Sequence, residues 1–363
     1  MSQRLIAACI AVPAVLGLLL FASVVRLPYA TYQPGSTVDV LGEDDSDVDI
    51  VQVDGHEVFR DDGELRMTTV RVSPAQDPDE RGIGLTALMS TWFDGDNAVY
   101  PYDAVHQSDE TAESNRQQGQ LQMATSQDVA VDVALEEMGI EVPQVLTITQ
   151  LTPGLPAEDV LEVGDVVRTI GGTDVTDAAQ LVSLVDDSTP GEPLTVGVTR
   201  DGKPLELDVT PVDVDGSTKI GILPEVSDYE FPFEVKINIS PQIGGPSAGL
   251  IFSLAIFDTL TEGSLTGGRT VAGTGEIFPD GSVGAIGGIQ QKIAGARDEG
   301  AELFLVPIEN CDDALGADPG DMRLMMARSM HDVREGLEAF AADPDATLPS
   351  CDDADEILSG AAS

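Results

Sequence analysis

Basic residues are scarce in this chain. Its 18 lysines and arginines face 64 aspartates and glutamates over 363 residues, a formal net charge of −46. Such a charge repels nucleic acid and anionic membrane surfaces, which argues against a nucleic-acid partner. The surplus reads as an adaptation to solubility or high salt, not as a binding device. Acidic pieces such as Glu43-Asp44-Asp45-Ser46-Asp47 read as solvated loops. Lysine is rarer still, with only Lys203, Lys219, Lys236 and Lys292. The histidines, His56, His106 and His331, are scattered and none sits in a motif. A Ser-His-Asp triad stays open, but each reads as an ordinary core or surface histidine. Cysteine is nearly absent, and no C-x-x-C or Cys/His spacing suggests zinc, so no metal is expected. No G-x-x-x-x-G-K-[ST] string occurs either, so no nucleotide cofactor is expected.

Leu5 to Val25 is an uncharged, mostly apolar run of 21 residues. At about 1.5 Å per residue it just spans a hydrocarbon core of about 30 Å. Pro13 is tolerable in a membrane helix. Arg4 and Arg26 flank the run, so the orientation signal is weak. A cleaved signal peptide competes, but its apolar region is normally about 7–15 residues with an A-x-A-like site. Here the run is longer and Pro28-Tyr29-Ala30 is a poor cleavage match. The reading is an uncleaved single-pass anchor in the cell membrane, with the body outside the cytoplasm. Cys9 lies in the run. Cys311 and Cys351 remain, and in an oxidising compartment they either pair or stay as two free thiols.

The chain parses into the anchor (1–31), an extracytoplasmic region with strands (32–125), a middle domain (126–213), a catalytic domain (221–341) and an acidic, mobile tail (342–363). Residues 48–53 and 64–72 read as strands, 107–122 as helix or loop, and 130–138 as an amphipathic helix ended by Gly139. Short strands at 144–150, 165–170, 194–200 and 205–210, with a helix near 178–185, make the middle domain a small, partly open β-barrel. From Gly221 strands and helices alternate as in a compact α/β (α+β) domain.

Two stretches of that domain carry chemistry. Gly244-Gly245-Pro246-Ser247-Ala248-Gly249 joins an alternating strand, 233–239, to an apolar helix, 248–260. Small neighbours let a substrate backbone approach Ser247, and helix N-terminal N–H groups can hold an oxyanion. Ser247 as a simple helix cap is the bland alternative. The second stretch follows 45 positions later: Ile289, Lys292, Ile293 and Ala296 share one helix face, so Lys292 falls inside an apolar stripe. Burial lowers a lysine pKa, as a general base requires; a snorkelling stem is the alternative.

Together these stretches resemble the proteolytic domain of the Lon family of serine proteases. The matching strings are Gly245-Pro246-Ser247-Ala248-Gly249, then Thr274-Gly275-Glu276-Ile277 with Gly281-Ser282-Val283, then Ile286-Gly287-Gly288-Ile289 leading to Lys292. The resemblance implies a Ser–Lys dyad, Ser247 as nucleophile and Lys292 as base, with Thr274 supporting it. Gly245, Pro246, Ala248 and Gly249 would form the oxyanion turn. Many Lon proteases carry an acidic residue just before Gly-Pro-Ser, where this chain has Ile243-Gly244. The middle domain resembles a PDZ domain of bacterial protease type, through Leu155-Pro156-Ala157, Leu161-Glu162-Val163-Gly164-Asp165 and Ile170-Gly171-Gly172. PDZ domains hold extended chain ends by strand addition, which by resemblance would place the binding loop at Gly139, Ile140, Glu141, Val142 and Pro143. Over most of its length the chain resembles membrane-anchored PDZ-containing Lon-like proteases. The implied activity is ATP-independent cleavage of unfolded or loosely structured protein, with C-terminal peptides recognised by the PDZ domain. A homo-oligomer stays open. The rival reading is a PDZ-based scaffold with an inactive protease-like domain.

Overall fold

The computed structural model describes residues 3–44, 46–76, 82–107, 110–354 and 357–358. Asp45 and the last residues of the acidic tail lie outside the described residues. The chain divides into two compact units, one made of Met1–Glu137 with Val235–Ser363, the other of Met138–Glu234.

The first unit opens with helix α1 (Gln3–Val24), which contains the apolar run and Pro13. Among the described residues no helix is long and apolar enough to cross a membrane. The expected transmembrane helix therefore stands on the sequence alone. There follow β1 (Arg26–Leu27), β2 (Tyr29–Asp39), β3 (Val51–Asp54), β4 (Glu64–Val72), β5 (Ile83–Gly84), α2 (Leu85–Trp92), β6 (Ala98–Pro101), α3 (Tyr102–Val105) and α4 (Ala112–Glu137). The sequence pattern allowed α4 only a short C-terminal stretch. It is one long helix, uninterrupted by proline and closed by Gly139 in the left-handed region at φ +77°. Its residues Val129 to Leu135 are all buried, Asp132 included, so the stretch expected to be amphipathic is buried on every side over most of its length.

The second unit holds β7 (Gln144–Leu151), β8 (Val166–Ile170), β9 (Thr173–Asp174), α5 (Ala178–Asp186), β10 (Leu194–Arg200), β11 (Lys203–Val209), β12 (Val212–Val214), β13 (Ser217–Lys219) and β14 (Ile222–Tyr229). Its main sheet runs β11-β10-β8-β7-β14, antiparallel throughout. Leu146, Ile148, Ile170, Leu181, Val196 and Val198 form the core beneath it. Asp165 is fully buried and carries its charge because Arg200 grips it with two N–H donors, each at 2.7 Å.

The chain then returns to the first unit as β15 (Glu234–Ile237), α6 (Gly249–Leu260), β16 (Thr270–Gly273), β17 (Glu276–Ile277), β18 (Val283–Gly284), α7 (Ile289–Asp298), β19 (Leu303–Pro307), α8 (Cys311–Ala314), β20 (Arg323–Ala327) and α9 (Met330–Ala342). The sheet order β20-β19-β16-β4-β2-β6 corrects the expected domain plan. β4 pairs in parallel with β16, Leu65 opposite Val271 and Met67 opposite Gly273. The region expected to stand apart at 32–125 thus supplies half of the catalytic sheet. β14, expected in the catalytic domain, closes the other unit's sheet instead. α6 is apolar but for Ser253, Asp258 and Thr259, and every residue of it except Phe257 is buried, as so apolar a helix must be. Burying Leu250, Phe252, Leu254 and Ile256 contributes roughly 1.5–3 kcal/mol each.

Up to Ala354 the tail is a second correction, because it is fastened. Arg323 donates to the carbonyls of Pro344 and Ala346, and Met326 N donates to Pro349 O at 2.9 Å. Cys311 and Cys351 form a disulfide with Cα atoms 5.0 Å apart. Cys351 and Ala354 are buried in the core with Phe304, Val306 and Met326.

Candidate active site

Ser247 lies on the turn between β15 and α6, two residues before the first helical position, Gly249. The glycines around it answer to packing as well as to substrate approach. Gly245 sits at φ +95°, where other residues are strained. A Cβ on Gly249 would come within 2.6 Å of Ile277 and 2.7 Å of Ser126 Oγ, and one on Gly244 within 2.9 Å of the Gly119 backbone. The turn is therefore pressed against α4 and β17. Ala248 is buried beneath it.

α7 brings the lysine. Gly288, at φ +71°, opens the helix in a conformation that suits glycine, and Lys292 N donates to Gly288 O. Lys292 is 2% exposed. Its Nζ lies 2.9 Å from Ser247 Oγ and 2.8 Å from Thr274 Oγ1. Burial holds the ammonium pKa down to about 7. No carboxylate stands among its hydrogen-bond partners to reverse that. Thr274 is fully buried, and its hydroxyl donates to Ser247 O at 2.8 Å. With its proton spent on that carbonyl, Thr274 Oγ1 presents lone pairs to Nζ. The threonine thus ties the lysine to the main chain of the serine, and Gly275 N donates to the same carbonyl at 2.9 Å. His106 and His331 are engaged elsewhere, with Ser73 O and Glu137.

Sequence reasoning missed the contribution of α4. Gly119 O accepts from Gly245 N at 2.8 Å, Ser126 Oγ donates to Pro246 O at 3.0 Å, and Gln120 Nε2 donates to Pro241 O at 3.0 Å. These residues precede the turn by about 120 positions and carry no motif of their own. Beside the turn opens a cleft of about 420 Å³, bordered by Val72, Ser73, His106, Arg116, Gly244 and Gly245.

The second unit has its own concavity, about 460 Å³, between α5 and the chain leading into β14. Leu181, Val182 and Val185 face Lys219, Ile220 and Ile222 across it. Gly221 lies between the two isoleucines at φ +92°, where a Cβ would meet Leu155 at 2.3 Å. The expected loop Gly139 to Pro143 lines none of this cavity. Pro143 O accepts from Glu230 N, past the far end of the β7–β14 pair, where Gln144 opposes Tyr229. The cavity is at the other end, where Ile222 opposes Leu151. An apolar–glycine–apolar triplet before a strand, Ile220-Gly221-Ile222, is the sequence signal that could have found it.

Residues 239–338 match the family model of the Lon protease (S16) C-terminal proteolytic domain. Over that stretch the chain is similar to a Lon-type proteolytic domain. That domain is a serine peptidase, a hydrolase. Residues 99–210 match the PDZ domain model, a span that begins ahead of the second unit. Lon protease of Campylobacter concisus is 28% identical over 181 residues, covering 48% of this chain and 22% of that protein. Lon protease 2 of Bacillus subtilis is 38% identical over 84 residues, covering 23% of this chain and 14% of that protein. The chain thus spans less than a quarter of these curated relatives. Among solved structures, the PDZ domain of the SdrC-like protein from Listeria monocytogenes is 20% identical, covering 22% of this chain and 87% of that one, at a TM-score of 0.21.

Proposed function

We propose that the chain is an ATP-independent, membrane-anchored serine endopeptidase working through a Ser247–Lys292 dyad. The observation that carries this reading is a buried lysine, with pKa lowered to about 7, whose Nζ is 2.9 Å from Ser247 Oγ. Unprotonated Lys292 takes the Ser247 proton as Oγ attacks the peptide carbonyl. Lysinium then returns it to the leaving amine, and water admitted to the site releases the acyl-enzyme. N–H groups of the Ser247 turn just ahead of α6 hold the oxyanion, where the helix dipole favours negative charge; Gly249 N and Leu250 N are already engaged with Pro246 O and Gly275 O. The cleft beside Gly244 and Gly245 is the path for an extended, loosely structured segment. The absence of a phosphate loop from these 363 residues supports independence from nucleotide.

The PDZ unit recruits chain ends. Its cavity is apolar on the α5 side and lies beside β14, which ends the sheet order. An apolar C-terminal residue fits there, with its strand added to β14. The anchor rests on the Leu5–Val25 run, and the Cys311–Cys351 disulfide supports an oxidising, extracytoplasmic compartment for the body. The test is cleavage of an unfolded model protein by the purified full chain without nucleotide. Ser247→Ala and Lys292→Ala are each expected to abolish cleavage, and their losses not to add. Full activity in either variant, or activity that rises sharply with ATP, would overturn the reading.

A further inference from the structure

The chain has one tryptophan, and the fold does not bury it: Trp92 is 72% exposed at the end of α2, and Phe93 beside it is 79% exposed. Met89, one turn earlier, is 48% exposed. Aromatics make up 4% of this sequence, so displaying two of the largest side by side calls for a partner that covers them. This patch is not a loose end. Thr91 on the other face of α2 is buried, and α2 packs on β2 and β6. The turn that follows is tied to α7, where Arg297 grips Asp96 at 2.8 Å and Gln291 Nε2 donates to Asp96 O at 3.2 Å.

Its position points to the partner. β1 leaves the C-terminal end of α1 and pairs with β5, Arg26 opposite Gly84, and β5 leads directly into α2. α2 also packs on α1 itself. The patch therefore stands at the C-terminal end of α1, a helix whose Ile10, Val15, Leu18 and Phe21 are all more than half exposed. Tyr29 and Tyr100, 38% and 43% exposed, lie on the neighbouring strands β2 and β6, where Tyr29 opposes Pro101. Exposed Trp, Tyr and Phe gathered at one end of an apolar helix are what a membrane–water interface selects.

We propose that α2 is a membrane-interface foot, with Met89, Trp92 and Phe93 seated among the lipid headgroups around the end of α1. The inference rests on the proposed anchoring of α1. Attachment is apolar: a chain of net charge −46 gains nothing from anionic lipid. The foot holds the catalytic unit at the bilayer surface.

Because Trp92 is the sole tryptophan, its emission reports this site alone in the full chain. Reconstituted into phosphatidylcholine vesicles, the protein should show blue-shifted emission, and brominating the lipid chains near the headgroup should quench most of it, independently of salt. Met89→Ser with Phe93→Ser should weaken that quenching while peptidase activity on a soluble peptide is unchanged. Vesicle-bound protein whose Trp92 emits as in water, unquenched, would overturn the foot and leave the anchor standing. Protein that fails to float with the vesicles would overturn the anchoring and the foot together. Blue-shifted emission that bromolipid does not quench and dilution reverses would assign the patch to a second copy of the chain, against the proposal.

Discussion

Lys292 permits a quantitative test of the proposed dyad. Its pKa falls from 10.5 to about 7 because the ammonium is buried. At about 1.4 kcal/mol per unit, the protonated form is disfavoured by roughly 5 kcal/mol. Near pH 7 about half of the molecules then hold a free amine, against about one in 3,000 for an unperturbed lysine, a gain on the order of 10³ in active base. The acidic limb of kcat/KM should therefore titrate near pH 7. The same shift affects stability. The folded pKa lies below the unfolded one, so between about pH 7 and 10.5 the unfolded chain binds more protons and stability rises with pH. Below that window the penalty is present in full. Lys292→Met, which removes the charge and keeps the stem, should be inactive. It should gain stability over wild type at about pH 6 and lose that gain by about pH 10, a swing of up to roughly 5 kcal/mol. Denaturant midpoints of the two proteins across pH, beside the pH–rate profile, measure both effects. An acidic limb near pH 10, or a stability difference that does not change with pH, would refute the buried-base argument.

Thr274→Val removes both the acceptor facing Nζ and the donor to Ser247 O, and should lower kcat by roughly 10–100-fold with KM little changed, checked by steady-state kinetics. Asp132 is fully buried on α4 with neither carboxylate oxygen hydrogen-bonded, and burial raises its pKa to about 7. Its raised folded pKa means that stability is lost as pH climbs from about 4 through 7. Asp132→Asn should therefore stabilise the protein by about 1–4 kcal/mol at pH 8 and by much less at pH 4, read from thermal melts. Cys351→Ser opens a loop with a sequence separation of 40 and should cost about 2–4 kcal/mol, a loss that reductant reproduces in wild type and not in the variant.

Much of the candidate site was legible because its signals are local. The glycine-framed Ser247 sits in one short turn and the Lys292 stripe covers about two helical turns, and a spacing of 45 residues links Ser247 to Lys292. Thr274 came with the same strings. The PDZ strands showed through their turns. The cavity beside α5 did not, because Ile220-Gly221-Ile222 looks like a loop until α5 packs opposite it.

The sequence by itself determined the residue types of the proposed chemistry, the apolar stripe that would bury a lysine and the cysteines available for pairing. These follow from side-chain chemistry and helical period, which need no distant partner. Only the tertiary structure decided that β4 is a central strand of the catalytic sheet, that α4 braces the serine turn through Gly119, Gln120 and Ser126, and that the acidic tail is fastened. Each of these joins segments dozens to hundreds of residues apart. Strand pairing of that kind runs through backbone N–H and C=O groups, which are the same in every residue but proline and so leave no mark in the sequence.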